Sequence, residues 1–414
     1  MENNFLLKKI SKIKKNKNKR NIIFKSSIII TILFAFFNSK FDLFQQRFIQ
    51  IEKKEELKNI INKINKYIII CRKGTLINRI KNTTKNTKIS VVITLYNSQN
   101  TIKTSVRSIQ NQNFSDFEII IIDDYSTDNG FNVIKTLQKE DQRINIIKNK
   151  KNRGALYSKS IGALNAKGKY IFPLDSDDLF VNENLFNFCY SESEKYNIDI
   201  LEFSGIRCKS SILPINNKYY KIPLYLRYKK NNTFIRQPKL QYFIYKKKKY
   251  RRFKLIDGYL WGKSIKTKIY KKALNILGEK IYTQNLCYGD DRLVIFFLFK
   301  VAFSFKFVKI YGIIYNVMNK HSITRSHKKI KNCHDEIINI MTLFHYTKNK
   351  KEVEIVVYEI IHRWNKILYP GIKNKENRNF LLNLINQMLN CKYITRNDKN
   401  LLYKYYKTIS YNSV

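Results

Sequence analysis

Three carboxylates lie within the four-residue segment 175–178 (DSDD), directly after an apolar run that ends at Leu174. Mg²⁺ and Mn²⁺ prefer oxygen ligands, and one or two carboxylates can hold such an ion when diphosphate oxygens and water complete the octahedron. Aspartates also form turns and cap helices, and Asp178 before Leu179 fits that role. The segment alone therefore leaves a metal site and a structural turn as alternatives.

A second acidic pair, Asp290 and Asp291, precedes the stretch 292–301, which is almost wholly apolar. A carboxylate anchored at the start of a buried helix can serve as a general base, because the helix dipole keeps it ionised. An aspartate at a helix start is also the usual capping residue. In isolation the pair therefore favours a structural role.

Short apolar runs alternate with helical segments from Ile89 onward, and this alternation predicts the elements that position these carboxylates. The predicted fold class is α/β, with a doubly wound, mostly parallel sheet and helices on both faces. Ligands of such sheets bind at the carboxyl ends of the strands, which here carry Tyr96, Asp124 and residues 175–178. The predicted strands are 89–95, 118–122, 144–147 and 170–174, and the predicted helices are 102–109, 131–139 and 156–166.

Three motifs follow one another at these strand ends: Tyr96-Asn97, the segment 123–128 (DDYSTD) and Asp175-Ser176-Asp177. Together they resemble the nucleotide-binding half of inverting family 2 glycosyltransferases, which implies a GT-A fold. The departures from the family pattern are Thr94-Leu95 in place of a proline, Tyr125 where glycine is common, and Ser158-Lys159-Ser160 in place of Ala-Arg-Asn. Because of the last departure, no diphosphate contact is assigned to the segment 158–160.

The resemblance implies a role for each of the motif side chains. Thr94, Tyr96 and Asp124 would bind the nucleotide base, which favours uridine because a carboxylate accepts the imide N–H of uracil. Asp175 would steady the ribose or complete the metal shell, and Asp177 would bind the cation directly. The implied cofactor is Mn²⁺ or Mg²⁺, which neutralises charge on the departing diphosphate.

Features of the C-terminal half follow the order found downstream in the same family. In that family an acidic pair opens a helix, and its second carboxylate is the catalytic base. The resemblance therefore implies Asp291 as the base, with Asp290 in place of the usual glutamate. The matching segments are 260–263 (LWGK), 269–272 (IYKK), 289–293 (GDDRL) and 322–324 (SIT).

The N-terminal segment is basic over residues 8–20 and mostly apolar over residues 22–37. This pattern predicts an uncleaved membrane anchor and a single-pass protein with a lumenal catalytic domain, in the Golgi or endoplasmic reticulum if the source is eukaryotic. A secreted protein, and an enzyme on the cytoplasmic face of a membrane, are the alternatives.

The chain carries 79 Lys and Arg against 31 Asp and Glu, a net charge of +48. Such a surplus attracts polyanions, but Lys, Asn and Ile are abundant throughout, which fits coding DNA rich in A and T at least as well. The six cysteines are widely spaced and include no Cys-x-x-Cys pair, so they indicate neither a zinc knuckle nor a dithiol site.

The sequence predicts a metal-dependent, inverting glycosyltransferase that moves a sugar from a UDP-sugar to a glycan, protein or lipid acceptor. The N-terminal segment would contact a membrane, and nucleic acid is not an expected partner. A nucleotidyltransferase, and a basic polyanion-binding scaffold without catalysis, are the alternatives. The predicted domains are a basic tail and anchor (1–44), a helical stem and linker (45–87), a nucleotide-sugar-binding domain (88–210), an acceptor-binding and catalytic-base region (211–330) and a helical C-terminal region (331–414).

Overall fold

The computed structural model of the chain describes residues 87–208, 259–316 and 329–411, together with isolated positions between 59 and 71 and four short strands between 220 and 255. The chain divides into two compact units, Met1–Lys63 and Ile64–Val414. All the strands and helices from Ile89 onward belong to the second unit.

Strands and helices alternate from Ile89 to Asp175, and each lies within a residue or so of its predicted bounds. The described strands are β1 (Ile89–Leu95), β2 (Phe117–Asp123), β3 (Ile144–Lys148), β4 (Tyr170–Asp175), β5 (Leu179–Phe180), β6 (Ile200–Cys208), β7 (Tyr220–Lys221), β8 (Phe234–Arg236), β9 (Ile244–Lys247), β10 (Arg252–Leu255), β11 (Lys263–Lys266) and β12 (Ser304–Asn316). The described helices are α1 (Ile102–Gln110), α2 (Gly130–Glu140), α3 (Ala155–Asn165), α4 (Leu185–Tyr196), α5 (Thr267–Leu277), α6 (Glu279–Tyr282), α7 (Asp290–Val301), α8 (Lys329–His345), α9 (Lys350–Arg363), α10 (Tyr369–Gly371), α11 (Lys375–Leu389) and α12 (Arg396–Tyr411), with a turn of π-helix at Trp364–Leu368.

The main sheet has the strand order β3-β2-β1-β4-β11-β6-β12-β5. Strands β3, β2, β1 and β4 run parallel, whereas β11 is antiparallel to both β4 and β6. The chain adds β2 and β3 on one side of β1 and β4 on the other, so the strand order reverses between β1 and β4. Open α/β sheets bind ligands at such a switch point. The predicted doubly wound α/β sheet is confirmed, and Tyr96 and Asp175 lie at its switch point.

Both faces of the parallel strands are covered. Ile119 and Ile121 of β2 belong to one hydrophobic cluster and Ile120 and Ile122 to the other, because successive side chains of a strand point to opposite faces. All four are buried. Burial on both faces explains why β2 is a continuous apolar run rather than an alternating one.

Helix α3 packs unusually close to the sheet. A Cβ atom added at Gly162 would lie 2.3 Å from Cγ1 of Val92 and 2.7 Å from Cδ1 of Ile122. Only glycine permits this approach of helix to strand. The close packing brings Lys159, one turn earlier, within 3.8 Å of Asp175 at the end of β4.

Helix α7 lies in the same hydrophobic cluster as the C-terminal helices. Its residues 293–299 are all buried, as is usual for a helix that is apolar on every side. Ile337 of α8, Val356 of α9 and Leu384 of α11 belong to this cluster. The predicted helical C-terminal region is therefore packed onto α7, while the predicted domain boundaries remain predictions.

Within the described part of the chain, no helix combines the length and apolar character needed to cross a membrane. The prediction of a single-pass membrane protein with a lumenal catalytic domain is corrected by this finding. The segment 22–37 predicted as an anchor, most of the predicted stem, and the segment 322–324 lie outside the described residues.

Candidate active site

The turns that follow β1 and β2 interlock at the carboxyl edge of the sheet. The backbone N–H of Asn97 donates to Oγ of Ser126 at 3.1 Å, and the backbone N–H of Gln99 donates to Oδ2 of Asp128 at 2.8 Å. Asn97 has a positive φ of 49°, which asparagine tolerates better than most residues. The two predicted nucleotide-binding motifs, Tyr96-Asn97 and residues 123–128, are therefore held together as one surface, called the ledge below.

Two tyrosine rings are exposed on this ledge. Tyr96 is 47% exposed and Tyr125 is 49% exposed. Tyr125 also has a φ of 66°, a left-handed conformation that destabilises a residue with a side chain by about 1–2 kcal/mol. Exposed aromatic faces can stack on a nucleobase. The structure thus adds Tyr125, which the sequence marked only as a departure from glycine, to the candidate nucleotide-binding residues.

Asp124 organises the turn that follows β3. Its carboxylate accepts the backbone N–H groups of Arg153 at 2.8 Å and Gly154 at 2.9 Å, and the side-chain amide of Asn149 at 2.7 Å. A carboxylate offers about four acceptor positions, so about one remains for a ligand. The contact with uracil stays a prediction, and Asp124 has a structural role besides it.

The acidic turn after β4 is held by Ser105. The hydroxyl oxygen of Ser105 in α1 lies 2.9 Å from the carbonyl oxygen of Ser176 and 2.6 Å from that of Asp178, and its single proton is shared between them. Asp175 and Asp177 are partly exposed. Thr94 of β1 is in register with Asp175, so these two predicted nucleotide-side residues are neighbours.

Asp178 differs from its two neighbours because it is fully buried. Its Oδ1 accepts the backbone N–H of Asn316, at the end of β12, at 2.8 Å. Burial, together with the charges of Asp177 and Asp175, raises the pKa of Asp178 well above its usual value. Asp178 therefore joins the acidic turn to β12, which is the structural role that the sequence left open.

Lys159 connects the acidic turn to the acidic pair at the start of α7. Its ammonium group donates to Oδ1 of Asp291 at 2.6 Å and to Oδ2 of Asp290 at 2.9 Å, and it lies 3.8 Å from Oδ1 of Asp175. The lysine side chain is only 11% exposed. Residues about 115 positions apart in the sequence thus meet at one cation. Sequence reasoning gave Lys159 no role, although its place in the family motif was a usable signal.

Burial and neighbouring opposite charges shift the pKa values of this cluster in opposite directions. Burial alone would lower the pKa of Lys159, but the charges of Asp290, Asp291 and Asp175 outweigh it and raise that pKa well above its usual value. Burial raises the pKa of Asp290 to about 6, since the effect of Lys159 only partly opposes it. Lys159 is therefore a permanent cation.

The acidic pair opens α7 directly after Gly289, which has a φ of 77°. The side chain of Asp291 is 18% exposed and that of Asp290 is 9% exposed. Asp291 also accepts the backbone N–H of Leu260 through Oδ2 at 3.2 Å. Asp291 is therefore the more accessible carboxylate, and both of its oxygens are held in place.

An aromatic stack lies beside this pair. The ring of Trp261 stacks on Tyr315 with centroids 5.1 Å apart and on Tyr259 at 5.2 Å. Trp261 is buried, and its indole N–H has no hydrogen-bond partner among the described residues. Through Leu260 and Asn316, which adjoin the stack in sequence, the stack connects Asp291 with the acidic turn.

The family model for glycosyl transferase family 2 matches residues 90–258. This chain carries a family 2 glycosyltransferase domain. The glycosyltransferase WfaP of Escherichia coli, named as a UDP-Glc:alpha-D-GlcNAc-diphosphoundecaprenol beta-1,3-glucosyltransferase, is 39% identical over 108 residues, which is 26% of this chain and 42% of that protein. A GalNAc(5)-diNAcBac-PP-undecaprenol beta-1,3-glucosyltransferase of Campylobacter jejuni is 36% identical over 110 residues, covering 26% and 36%.

Solved structures extend the similarity of this chain beyond the matched domain. Residues 1–349 of TarS from S. aureus, crystallised with UDP-GlcNAc, superpose with a TM-score of 0.56 at 14% identity and cover 78% of this chain and 91% of that one. This chain spans between 15% and 42% of the lengths of the curated relatives that it matches. The shared GT-A fold confirms the predicted fold class.

Proposed function

We propose that this glycosyltransferase transfers a sugar from a UDP-sugar to an acceptor hydroxyl, with inversion at the anomeric carbon and with a divalent cation. The observation that carries the proposal is the meeting of the two acidic motifs at Lys159. Asp175 belongs to the acidic turn on the nucleotide side, and Asp291 is the candidate base. A carboxylate oxygen of each lies within 3.8 Å of the ammonium group of Lys159. Inverting transfer requires a group that binds the leaving nucleotide and a base that deprotonates the acceptor, on opposite sides of the same sugar.

The donor side of the proposal is supported by the exposed ledge. Tyr96 and Tyr125 offer aromatic faces, and Asp124 retains about one acceptor position for an imide N–H. TarS has been crystallised with UDP-GlcNAc and with UDP. WfaP is named for UDP-Glc. We therefore propose uridine as the nucleotide and UDP-GlcNAc and UDP-Glc as the first donors to test.

The cation is proposed to be Mn²⁺ or Mg²⁺, held by Asp177 with Asp175 beside it. In the described parts of the chain, no group of three or more His, Cys, Asp or Glu side chains is arranged to hold a metal. Mg²⁺ is commonly bound by one or two carboxylates, with substrate phosphates and water as its remaining ligands. When bound, it would stabilise negative charge on the departing diphosphate.

Asp291 is proposed as the base. The acceptor oxygen forms a bond to the anomeric carbon as its proton passes to a carboxylate oxygen of Asp291, and the bond from that carbon to the diphosphate oxygen breaks. Lys159 fixes one oxygen of Asp291, and the backbone N–H of Leu260 fixes the other. Held in this way, the carboxylate requires little reorganisation when the acceptor arrives.

The acceptor is proposed to be a glycan that contacts the aromatic stack of Tyr259, Trp261 and Tyr315 beside the base. Aromatic rings pack against the apolar C–H faces of sugars. The relatives from Escherichia coli and Campylobacter jejuni are named for glycans linked to undecaprenyl diphosphate. Lipid-linked glycans are therefore the first acceptors to assay.

The test is the identity of the released product. We expect the purified chain to release UDP from UDP-GlcNAc or UDP-Glc in the presence of Mn²⁺, slowly with water as acceptor and faster with a glycan acceptor. Release of pyrophosphate from UTP and a sugar 1-phosphate, with no UDP released from either UDP-sugar, would instead indicate nucleotidyl transfer. Binding of neither UDP nor any UDP-sugar would refute the proposal.

A further inference from the structure

The C-terminal helix α8 contacts the loop that leads into the acidic pair. Oδ2 of Asp335 accepts the backbone N–H groups of Cys287 at 2.9 Å and Tyr288 at 3.1 Å. One turn further along α8, the side-chain amide of Asn339 donates to the carbonyl oxygen of Tyr288 at 2.7 Å. Asp335 and Asn339 of α8 thus form hydrogen bonds with the backbone N–H groups and a carbonyl group just before Asp290.

Asp335 is suited to this task because it is fully buried and charged. Burial alone would raise its pKa, but hydrogen bonds from His334 and from the backbone of Cys287, together with the charge of Lys331, lower that pKa. An ionised carboxylate binds backbone N–H groups more strongly than a neutral acceptor does.

The loop has little freedom on its other side. The backbone N–H of Leu156 donates to the carbonyl oxygen of Leu286 at 3.1 Å, and a Cβ added at Gly154 would lie 2.9 Å from that same oxygen. A Cβ at Gly289 would lie 2.3 Å from the guanidinium of Arg292 and 3.0 Å from the amide of Asn339. The loop therefore lies between the start of helix α3 and helix α8, with hydrogen bonds to both.

We propose that Asp335, assisted by Asn339, is a positioning residue that sets the location of the catalytic carboxylate Asp291 through the backbone of residues 287–289. This inference rests on the proposed function, because it requires Asp291 to be the base. It gives the C-terminal helices a part in catalysis, although the family match ends before them. A displacement of about 1 Å at a catalytic group can reduce turnover by about a hundredfold.

The test compares Asp335→Ala with Asp398→Ala by UDP release from UDP-GlcNAc and UDP-Glc with Mn²⁺. Asp398 is also a buried aspartate of the C-terminal helices, but it accepts a hydrogen bond from Thr395, far from the loop in sequence. We expect Asp335→Ala to lose about ten- to hundredfold in kcat while its Kd for UDP changes less than about twofold. Asp398→Ala should lose thermal stability and keep its kcat.

Two further variants separate positioning from folding. Asp335→Asn keeps an oxygen that can accept both backbone N–H groups but loses the charge, so its kcat should lie between those of Asp335→Ala and the parent. Asn339→Ala removes one hydrogen bond and should lower kcat by about three- to tenfold, which keeps the inference testable if Asp335→Ala does not fold.

A kcat for Asp335→Ala no lower than that of Asp398→Ala would overturn the inference and leave the proposed function intact. If Asp335→Ala does not fold, a parental kcat for Asn339→Ala overturns it equally. Absence of UDP release from the parent chain, with no UDP binding, would instead refute the proposed function and the inference with it.

Discussion

Replacing Lys159 by methionine removes a buried ammonium group that lies 2.6 Å from Asp291, 2.9 Å from Asp290 and 3.8 Å from Asp175. Methionine keeps most of the apolar stem of lysine, so the change acts mainly on charge. Removal of one partner from a buried ion pair lowers the free energy of unfolding by about 3–5 kcal/mol, because the remaining charge is uncompensated.

Proton uptake by the remaining carboxylates limits that loss. Protonating a carboxyl group of ordinary pKa at pH 7 requires about 4 kcal/mol, from about three pH units at 1.36 kcal/mol each. Asp290 requires less, since burial already raises its pKa to about 6. We therefore expect Lys159→Met to lose about 3 kcal/mol at pH 7.5 and less at pH 5.

The sign of this pH dependence follows from the raised folded-state pKa of Asp290. A carboxyl group with a raised pKa contributes stability that is fully present below its unfolded pKa of about 4 and is lost as the pH rises through its folded pKa. Loss of Lys159 raises the folded pKa further, so the free energy of unfolding of the variant should decrease with pH more steeply than that of the parent.

The assay is denaturant unfolding followed by tryptophan fluorescence at both pH values, with UDP release measured in parallel. Lys266→Met is the matched control, because Lys266 is buried and lies 2.9 Å from Asp199, and it pairs with Tyr170 at the opposite end of β4. Lys266→Met should lose stability and keep turnover, whereas Lys159→Met should lose both. Parental stability and turnover in Lys159→Met at pH 7.5 would refute this reasoning.

Three other predictions concern the nucleotide side of the site and its support. Asp177→Ala should abolish the Mn²⁺-stimulated part of UDP binding in calorimetry, and Mn²⁺ stimulation equal to that of the parent would count against this role. Tyr96→Ala should weaken UDP binding about 5- to 100-fold through lost stacking, while an unchanged Kd would place the base elsewhere. Gly162→Ala should lower the free energy of unfolding by about 1–3 kcal/mol, because its Cβ would lie 2.3 Å from Val92; a parental midpoint of denaturation would show that α3 can move away.

The parallel half of the fold could be predicted from sequence because its signals are local. Strand β2 is a run of apolar residues ended by Asp123-Asp124, and each neighbouring element begins and ends with a comparable change of pattern. The positions of Tyr96, Asp124 and Asp175 followed directly, since each lies at or just after the carboxyl end of a parallel strand.

Other parts of the site depend on contacts between distant segments, which no local pattern encodes. Lys159 on α3 contacts Asp291 on α7, and Gly162 allows α3 to lie close to the sheet. From the sequence, Asp178 could be a metal ligand or a capping residue. Its hydrogen bond from the backbone N–H of Asn316 gives it a structural role. Asp335 lies in an ordinary amphipathic helix, and only its contacts with residues 287 and 288 distinguish it.

The identity of the base is the central claim, and the most direct measurement is the turnover of Asp291→Asn beside Asp290→Asn, with the Kd for UDP and Mn²⁺ measured on both. Asparagine keeps the shape of aspartate but cannot accept the proton of the acceptor hydroxyl. Asp291→Asn should bind UDP and Mn²⁺ like the parent and lose about a hundredfold or more in turnover. Near-parental turnover in Asp291→Asn with an inactive Asp290→Asn would move the base by one residue, and near-parental turnover in both would contradict the mechanism.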